Sequence, residues 1–356
     1  MSHSTANAET PASLGYSMPA EWARHRATWL SWPHNLETWP TDLEKVRDIW
    51  VRMIYELSPH EQVFVLVNDE RTERQVAARL QLAKARMANV TLLLIPTLDV
   101  WMRDYGPTFV TRNAQADSLA LNDWIFNGWG GKYYETDDSV AREIASRLKV
   151  PVFEHKIVLE GGSIEVNGAG TCLTTEQCLL NPNRNPVMTR SEIEQFLKNS
   201  LGVSHVIWLG EGIAGDDTDG HIDDIARFVN PTTVVCIVEA NSKDDNYAFL
   251  QDNYERLKNA KDQDGQKLEI VTLPCPGPVY YDGARLPASY ANFYIANEVV
   301  LVPVFDDPHD DNALGILQDH FPDRRVIGLS CNEVVGGLGA IHCVTLQEPA
   351  VNSSRP

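Results

Sequence analysis

Four short segments concentrate reactive side chains: WMRDYGP (Trp101–Pro107), LEGGSIEVNG (Leu159–Gly168), GDDTDGHIDD (Gly215–Asp224) and GGLGAIHC (Gly336–Cys343). A cysteine is a nucleophile only as its thiolate, which needs a base or a nearby cation to form. His221 can serve as that partner for Cys343. The carboxylates Asp104, Glu160 and Asp223 work against a thiolate, since like charge raises its pKa. They make sense beside a planar cation. A guanidinium offers five N–H donors in a rigid fork that carboxylates grip in pairs. A bound cation also favours the thiolate, so binding and activation are coupled. The set therefore reads as a site for hydrolysis of a guanidine. Singly, each residue has a plain structural reading: Cys343 as packing, Asp104 as a partner of Arg103, Glu160 as a turn cap.

These residues have to be carried to one place. Apolar residues at three- and four-residue spacing predict helices over 43–57, 69–88, 138–148, 191–201 and 244–257. The fourth opens at Thr189 or Ser191, both capping types. Short β-rich runs lie between them at 63–67, 90–95, 206–209, 233–238 and 268–273. Hairpins are expected at 107–111 with 119–126, at 163–166 with 171–175 across Asn167-Gly168, at 222–229 with 232–238, and at 293–296 with 299–304. Asp104, Glu160, His221 with Asp223, and Asn292 stand at or just before the first strand of each pair, and Cys343 is expected on the last strand. The unit recurs every roughly 50–70 residues, which suggests a closed, propeller-like array whose equivalent strand ends meet at one centre. The strand over 27–32 is positioned to close the ring against the C-terminal one.

The formal charge of −19 over 356 residues argues against a nucleic-acid binder and suits a cationic substrate. The first residues carry no apolar secretory core, and no apolar run approaches the roughly 18 residues of a membrane span. The six cysteines contain no CxxC pair and do not form a disulfide framework. A cytoplasmic protein of one catalytic domain is expected over 1–356, with a flexible leader at 1–15 and a flexible tail at 351–356. GDDTDGHIDD is not a calcium loop: with Gly220 sixth, the first and twelfth places fall on Gly215 and Ala226. No zinc-ligand spacing is present, and the acidic run at 305–312 reads as a solvated loop.

Taken together, MPAEWARHRATWLSWP (Met18–Pro33), WMRDYGP, FNGWGG (Phe126–Gly131), EGGSIEVNG, TDGHIDD (Thr218–Asp224), SYANFYIANEVVLVPVF (Ser289–Phe305) and IHCVTLQEPA (Ile341–Ala350) resemble the agmatine deiminase and bacterial-type peptidylarginine deiminase family. The resemblance covers almost the whole chain. It implies a five-bladed pseudo-symmetric α/β propeller of ββαβ repeats with the active site at its centre. It implies Cys343 as nucleophile, His221 as acid–base residue, Asp104 and Asp223 as the guanidinium-holding carboxylates, and Glu160 as a further acidic contact. Trp101 is a candidate pocket wall or a packed aromatic, Asp217 a contact for a substrate ammonium, and Asn292 a weaker lining candidate. The implied reaction takes agmatine to N-carbamoylputrescine and ammonia in polyamine synthesis, with no metal or organic cofactor. The alternatives are conversion of peptidyl-arginine to citrulline at the same site, and a non-catalytic binding propeller. The partner is a small cationic guanidine, with no nucleic acid or membrane, and a homo-oligomer is allowed. The sequence departs from the family at Leu338 and Ala340, where a glycine-rich approach to the cysteine is usual, and at Lys132; these touch substrate choice more than reaction type.

Overall fold

The computed structural model describes residues 9–351 apart from 41, 114–117, 134–136 and 138. Of the expected leader and tail, residues 1–8 and 352–356 lie outside the described residues; Ala12–Leu14 forms a short turn leading to the buried Tyr16.

Five mixed sheets carry the fold, and the same order of elements builds each. An antiparallel strand pair is followed by a helix, and the next strand returns parallel to the second of the pair. The sheets are Thr108–Thr111, Leu119–Ile125 and Val152–Val158; Glu165–Val166, Thr171–Thr175 and His205–Leu209; Ala226–Asn230, Thr233–Val238 and Glu269–Pro274; Tyr294–Ile295, Val299–Val304 and Arg325–Ser330. In the remaining sheet Leu346–Pro349 pairs antiparallel with His25–Ser31, so the two ends of the chain share a sheet, which continues through Gln62–Val67 and Val90–Leu94. Each sheet has its own edges, and none closes on itself among the described residues. No helix of the described residues is long and apolar enough to cross a membrane. All six cysteines are buried and free.

Local chemistry explains most of the elements. The helix Leu43–Leu57 buries Leu43, Val46, Trp50, Met53, Ile54 and Leu57, one stripe at helical spacing. Arg190–Leu201 opens on a capping box, with Thr189 accepting from the Glu192 amide and Glu192 answering to the Thr189 amide, and stops at Gly202 in the left-handed region (φ 68°). Val140–Leu148 begins two residues after the expected start, Asp138, which lies outside the described residues. The helix expected over 69–88 spans only Glu70–Leu82, because Asp69 is its cap and Lys84 turns left-handed (φ 59°). The one expected from 244 begins at Tyr247, since the Asp244 carboxylate accepts from the Asn246 amide and Arg285 outside the helix. The acidic run at 305–312 is only partly loop. A helix, Asp310–His320, starts inside it, and Asp310 accepts from the Tyr290 hydroxyl.

The main correction concerns what precedes the strands. The stretch holding Cys343 is not strand but a single helical turn, Ile341–Val344, closed by the Thr345 hydroxyl donating to the Ile341 carbonyl. Similar turns stand before the first strands of three other sheets: Met102–Tyr105, Gly161–Ser163 and Ile222–Asp224. The hairpin strand expected from 222 accordingly starts at Ala226, and the one expected from 163 at Glu165. The Asn167-Gly168 connection is wider than a two-residue turn, with Val166 facing Cys172 and both Gly168 and Gly170 at positive φ.

Candidate active site

Each turn delivers one or two polar side chains to the same place, and Gly162 marks it. A Cβ on Gly162 would stand 2.5 Å from His221 Nδ1, 2.8 Å from Asp104 Oδ1 and 3.2 Å from Asp223 Oδ2. Three segments far apart in the chain thus converge around one bare backbone position, which only glycine leaves room for. The Gly162 amide also donates to Asp104 Oδ1 at 3.0 Å, and the second oxygen of Asp104 accepts from the Trp129 indole at 3.0 Å. Trp129 reaches it from a tight FNGWGG turn in which Trp129 itself is left-handed (φ 53°). His221 Nδ1 lies 3.7 Å from Asp104 Oδ1.

Cys343 lies beside this cluster. Its Sγ is 3.1 Å from Asn292 Nδ2 and 3.8 Å from Asp223 Oδ2. Asn292 Oδ1 also accepts from the His342 amide at 2.9 Å, so Asn292 fixes both the thiol and the turn that bears it. Cys343, Asp104, Trp101, Asp217 and Leu338 line a cavity of about 910 Å³, together with Asp99 and Asp137. Trp101 answers both sequence readings, lining the cavity while packed against Trp39 and against Gly339, where a Cβ would stand 2.4 Å from its ring. Leu338 occupies a left-handed position (φ 71°).

Burial sets the electrostatics. It depresses the His221 imidazole to about 3, against the pull of Asp223. It pushes the Cys343 thiol well above its ordinary value, with Asp223, Asp224 and Asp104 adding to the rise. The Asp104 carboxyl is raised well above normal by burial and by Asp223. Neither ring nitrogen of His221, nor Glu160 Oε2, nor Asp223 Oδ1 has a hydrogen-bond partner among the described residues. These buried polar atoms are left with hydrogen-bonding capacity that the protein does not itself fill.

The other expected residues fall out differently. Glu160 is not a free acid: its Oε1 takes the Arg184 Nε at 2.7 Å, leaving only Oε2 for the site. Arg184 also holds Asp219 at 2.6 Å and so ties the 215–221 loop to the cluster. Asp217 lines the cavity, but Lys132 sits 3.2 Å from its carboxylate and the Tyr133 hydroxyl donates to it at 3.1 Å. Lys132 is therefore a counter-ion within the protein. Asp216 is spent on its own loop, accepting from the amides of Thr218, Gly220 and His221. Two clusters bring ligand-type atoms within 4.8 Å of one another, Glu160 with Cys178 and His221, and Asp223 with Asp224 and Cys343. Arg184 already compensates the charge of Glu160, and Asp223 Oδ2 is taken up by His342 Nδ1 at 2.6 Å, so among the described residues neither donor set favours a metal ion.

Sequence reasoning missed Arg184, Trp129, Asp224, Glu21 and His342. Trp129, Asp224, Glu21 and His342 sit inside quoted motifs, but nothing local says that they face the site. Asp224 accepts from Asn292 Nδ2 at 2.9 Å, and burial with Asp223 raises its carboxyl well above normal.

Residues 17–349 match the model of the Porphyromonas-type peptidyl-arginine deiminase family. The chain is 38% identical over 375 residues to an agmatine deiminase of Medicago truncatula, with 96% of this chain and 98% of the relative covered. It superposes on an Enterococcus faecalis agmatine deiminase structure with TM-score 0.89 and 34% identity, covering 96% of this chain and 98% of the other. A C. jejuni agmatine deiminase with substrate bound is also similar, with TM-score 0.84 and 29% identity over 94% of this chain and 96% of the other.

Proposed function

We propose that this chain, which belongs to the Porphyromonas-type peptidyl-arginine deiminase family, is an agmatine deiminase: it hydrolyses agmatine to N-carbamoylputrescine and ammonia. The observation that carries the reading is the convergence of Asp104, His221 and Asp223 around Gly162 beside the Cys343 thiol. Acceptors without partners, arranged around a nucleophile, suit a planar cation whose N–H groups supply the missing donors.

The chemistry follows from the geometry. The guanidinium is held between Asp104 and Asp223, and its charge offsets the carboxylates that oppose the thiolate. His221 takes the thiol proton of Cys343 as the sulfur adds to the guanidinium carbon, forming C–S and leaving His221 protonated. His221 gives a proton to one amino group, and the C–N bond breaks to release ammonia and leave an amidino thioether on Cys343. His221, now neutral, takes a proton from water as the oxygen adds to the same carbon. The C–S bond then breaks and returns the thiolate. A histidine held neutral by burial is a base ready for that second half. A Glu160 carboxylate oxygen lies within 4.8 Å of a His221 ring nitrogen and faces its cationic form before ammonia leaves and again after water gives up its proton.

Agmatine is preferred over arginine because the cavity lining is acidic. Asp217 is matched by Lys132, so the ammonium falls to Asp99 and Asp137, which line the same cavity. Burial raises both carboxyls, that of Asp137 to about 6, and a cation placed there is favoured. The five sheets are read as blades of an α/β propeller closed by the pairing of His25–Ser31 with Leu346–Pro349, forming one catalytic unit. Six free thiols suit a reducing, cytoplasmic compartment.

The test is ureido-product formation with agmatine, free arginine and an arginine-containing peptide in parallel, using wild type and Cys343→Ser. Turnover of agmatine alone, lost in Cys343→Ser, supports the reading. Turnover of the peptide instead moves the function to protein citrullination, and activity surviving in Cys343→Ser overturns the mechanism.

A further inference from the structure

A buried imidazole adjoins the nucleophile, and the chemistry above does not use it. His342 Nδ1 lies 2.6 Å from Asp223 Oδ2, and its Nε2 lies 2.8 Å from Glu21 Oε2. An ionised carboxylate only accepts, so a ring nitrogen bound to one must bring the proton of that bond. Glu21 has no place for a proton, because it also accepts from Arg103 at 3.2 Å, Arg227 at 2.9 Å and the Ile295 amide at 2.8 Å. The ring is buried and engaged at both nitrogens, and the backbone that carries it is held by the His342 amide donating to Asn292 Oδ1. Asp223 in turn keeps Oδ1 without a partner while Oδ2 is bound to the imidazole.

We propose that His342 is a positioning residue: a doubly protonated imidazolium, bridging Glu21 and Asp223, that keeps Asp223 ionised and its Oδ1 presented to the substrate guanidinium. The substrate half of this inference rests on the guanidine reading; the protonation half does not. The charges facing Asp223 are His342, His221 and the more distant Arg227 on the favourable side, and Asp104, Asp224 and Asp216 on the other. Those facing His342 are Asp223, Glu21 and, farther off, Glu165, with Glu21 backed by Arg103 and Arg227 and Glu165 paired with Arg227. The neighbouring carboxyls agree with this division. Burial raises Asp104, Asp224 and Glu160, whereas Asp223 is lowered despite burial, chiefly through its bond and charge pairing with His342. Glu21, against the same burial, is held well below normal by Arg227 and His342. A catalytic carboxylate in this desolvated setting would otherwise hold a proton where it has to grip a cation.

Two measurements test it. In wild-type protein labelled with ¹⁵N-histidine, His342 is assigned through its backbone and observed at pH 8. Two protonated ring nitrogens are expected, and one bare nitrogen overturns the proposal. The second is the pH profile of kcat/KM for agmatine in His342→Gln, which keeps a single donor without charge. Its acid limb is expected to move up by about one pH unit or to steepen from one proton to two. A lower plateau with the wild-type midpoint and slope overturns the proposal, because a purely structural residue gives that result. If the variant fails to fold, the nitrogen spectrum alone decides. If wild type does not turn over agmatine, the guanidine reading has failed, and the spectrum still decides the bridge.

Discussion

Gly162→Ala places a methyl group where three active-site side chains meet. Gly162 is not among the residues with left-handed φ, so alanine meets no backbone objection and the whole effect is steric. The methyl would sit 2.5 Å from His221 Nδ1, 2.8 Å from Asp104 Oδ1 and 3.2 Å from Asp223 Oδ2. Ordinary contact begins at 3.4 Å, so His221 must retreat by about 0.9 Å, Asp104 by about 0.6 Å and Asp223 by about 0.2 Å, if the backbone holds. A displacement near 1 Å at the reacting groups costs about 100-fold in rate, equivalent to about 2.7 kcal/mol of transition-state stabilisation. Overpacking costs about 1–3 kcal/mol of stability, or about 1–4 °C in Tm for a chain of this length. The assay is the initial rate of ureido product from agmatine, with thermal unfolding of the same preparation. Gly315→Ala is the control: it lies in the helix Asp310–His320, and its Cβ meets nothing within 4 Å. It should leave kcat/KM unchanged and add about 0.5–1 kcal/mol of stability. If folded Gly162→Ala works within threefold of wild type, the three side chains do not act from the positions described, and the reasoning fails.

Trp129→Phe removes the indole donor from Asp104, which raises that carboxyl further; kcat/KM should fall about 10- to 100-fold with its acid limb displaced upward, and an unmoved limb would show that the indole only packs. Lys132→Ala frees Asp217 to face the cavity, so KM for agmatine should fall about two- to fivefold, a modest gain because the Lys132–Asp217 pair is partly exposed; a rise in KM would mean that Lys132 serves chiefly to hold the loop. The Asp104 carboxyl, raised by burial and Asp223, predicts that kcat/KM, which reports the free enzyme, declines on the acid side well above about pH 4. A bound guanidinium favours the ionised carboxylate, so the acid limb of kcat should lie lower, and coincident limbs would contradict the pairing of Asp104 with the cation.

How much could be read from the sequence depended on distance along the chain. The helix Leu43–Leu57 is written in its apolar spacing, and the start of Arg190–Leu201 in Thr189 and Glu192, three residues apart. The chemistry of Cys343, His221, Asp104 and Asp223 was legible because those residue types have few reasons to occur together. What was illegible is pairing across loops. Asp217 looks like a free acid until Lys132, 85 residues away, is seen against it. Glu160 looks like a substrate ligand until Arg184, within an Asn- and Pro-rich stretch with no periodicity, takes one of its oxygens. Cys343 was expected on a strand because the apolar residues around it suit a strand. A hydroxyl at Thr345 and an amide at Asn292 fold them into a turn instead, and side-chain bonds of that kind leave no periodic trace.

Glu21 receives bonds from Arg103, Arg227, Ile295 and His342, four segments in or just before the first strands of four different sheets, and its bond to His342 spans 321 residues. Contacts of that separation are the most costly in loop closure and the last to be rewarded during folding. Burial of tryptophans such as Trp50, which is packed within its own helix–sheet unit, needs no such closure. On refolding from denaturant, fluorescence should therefore recover before enzyme activity, and the lag between the two would time the meeting of residues 21 and 342.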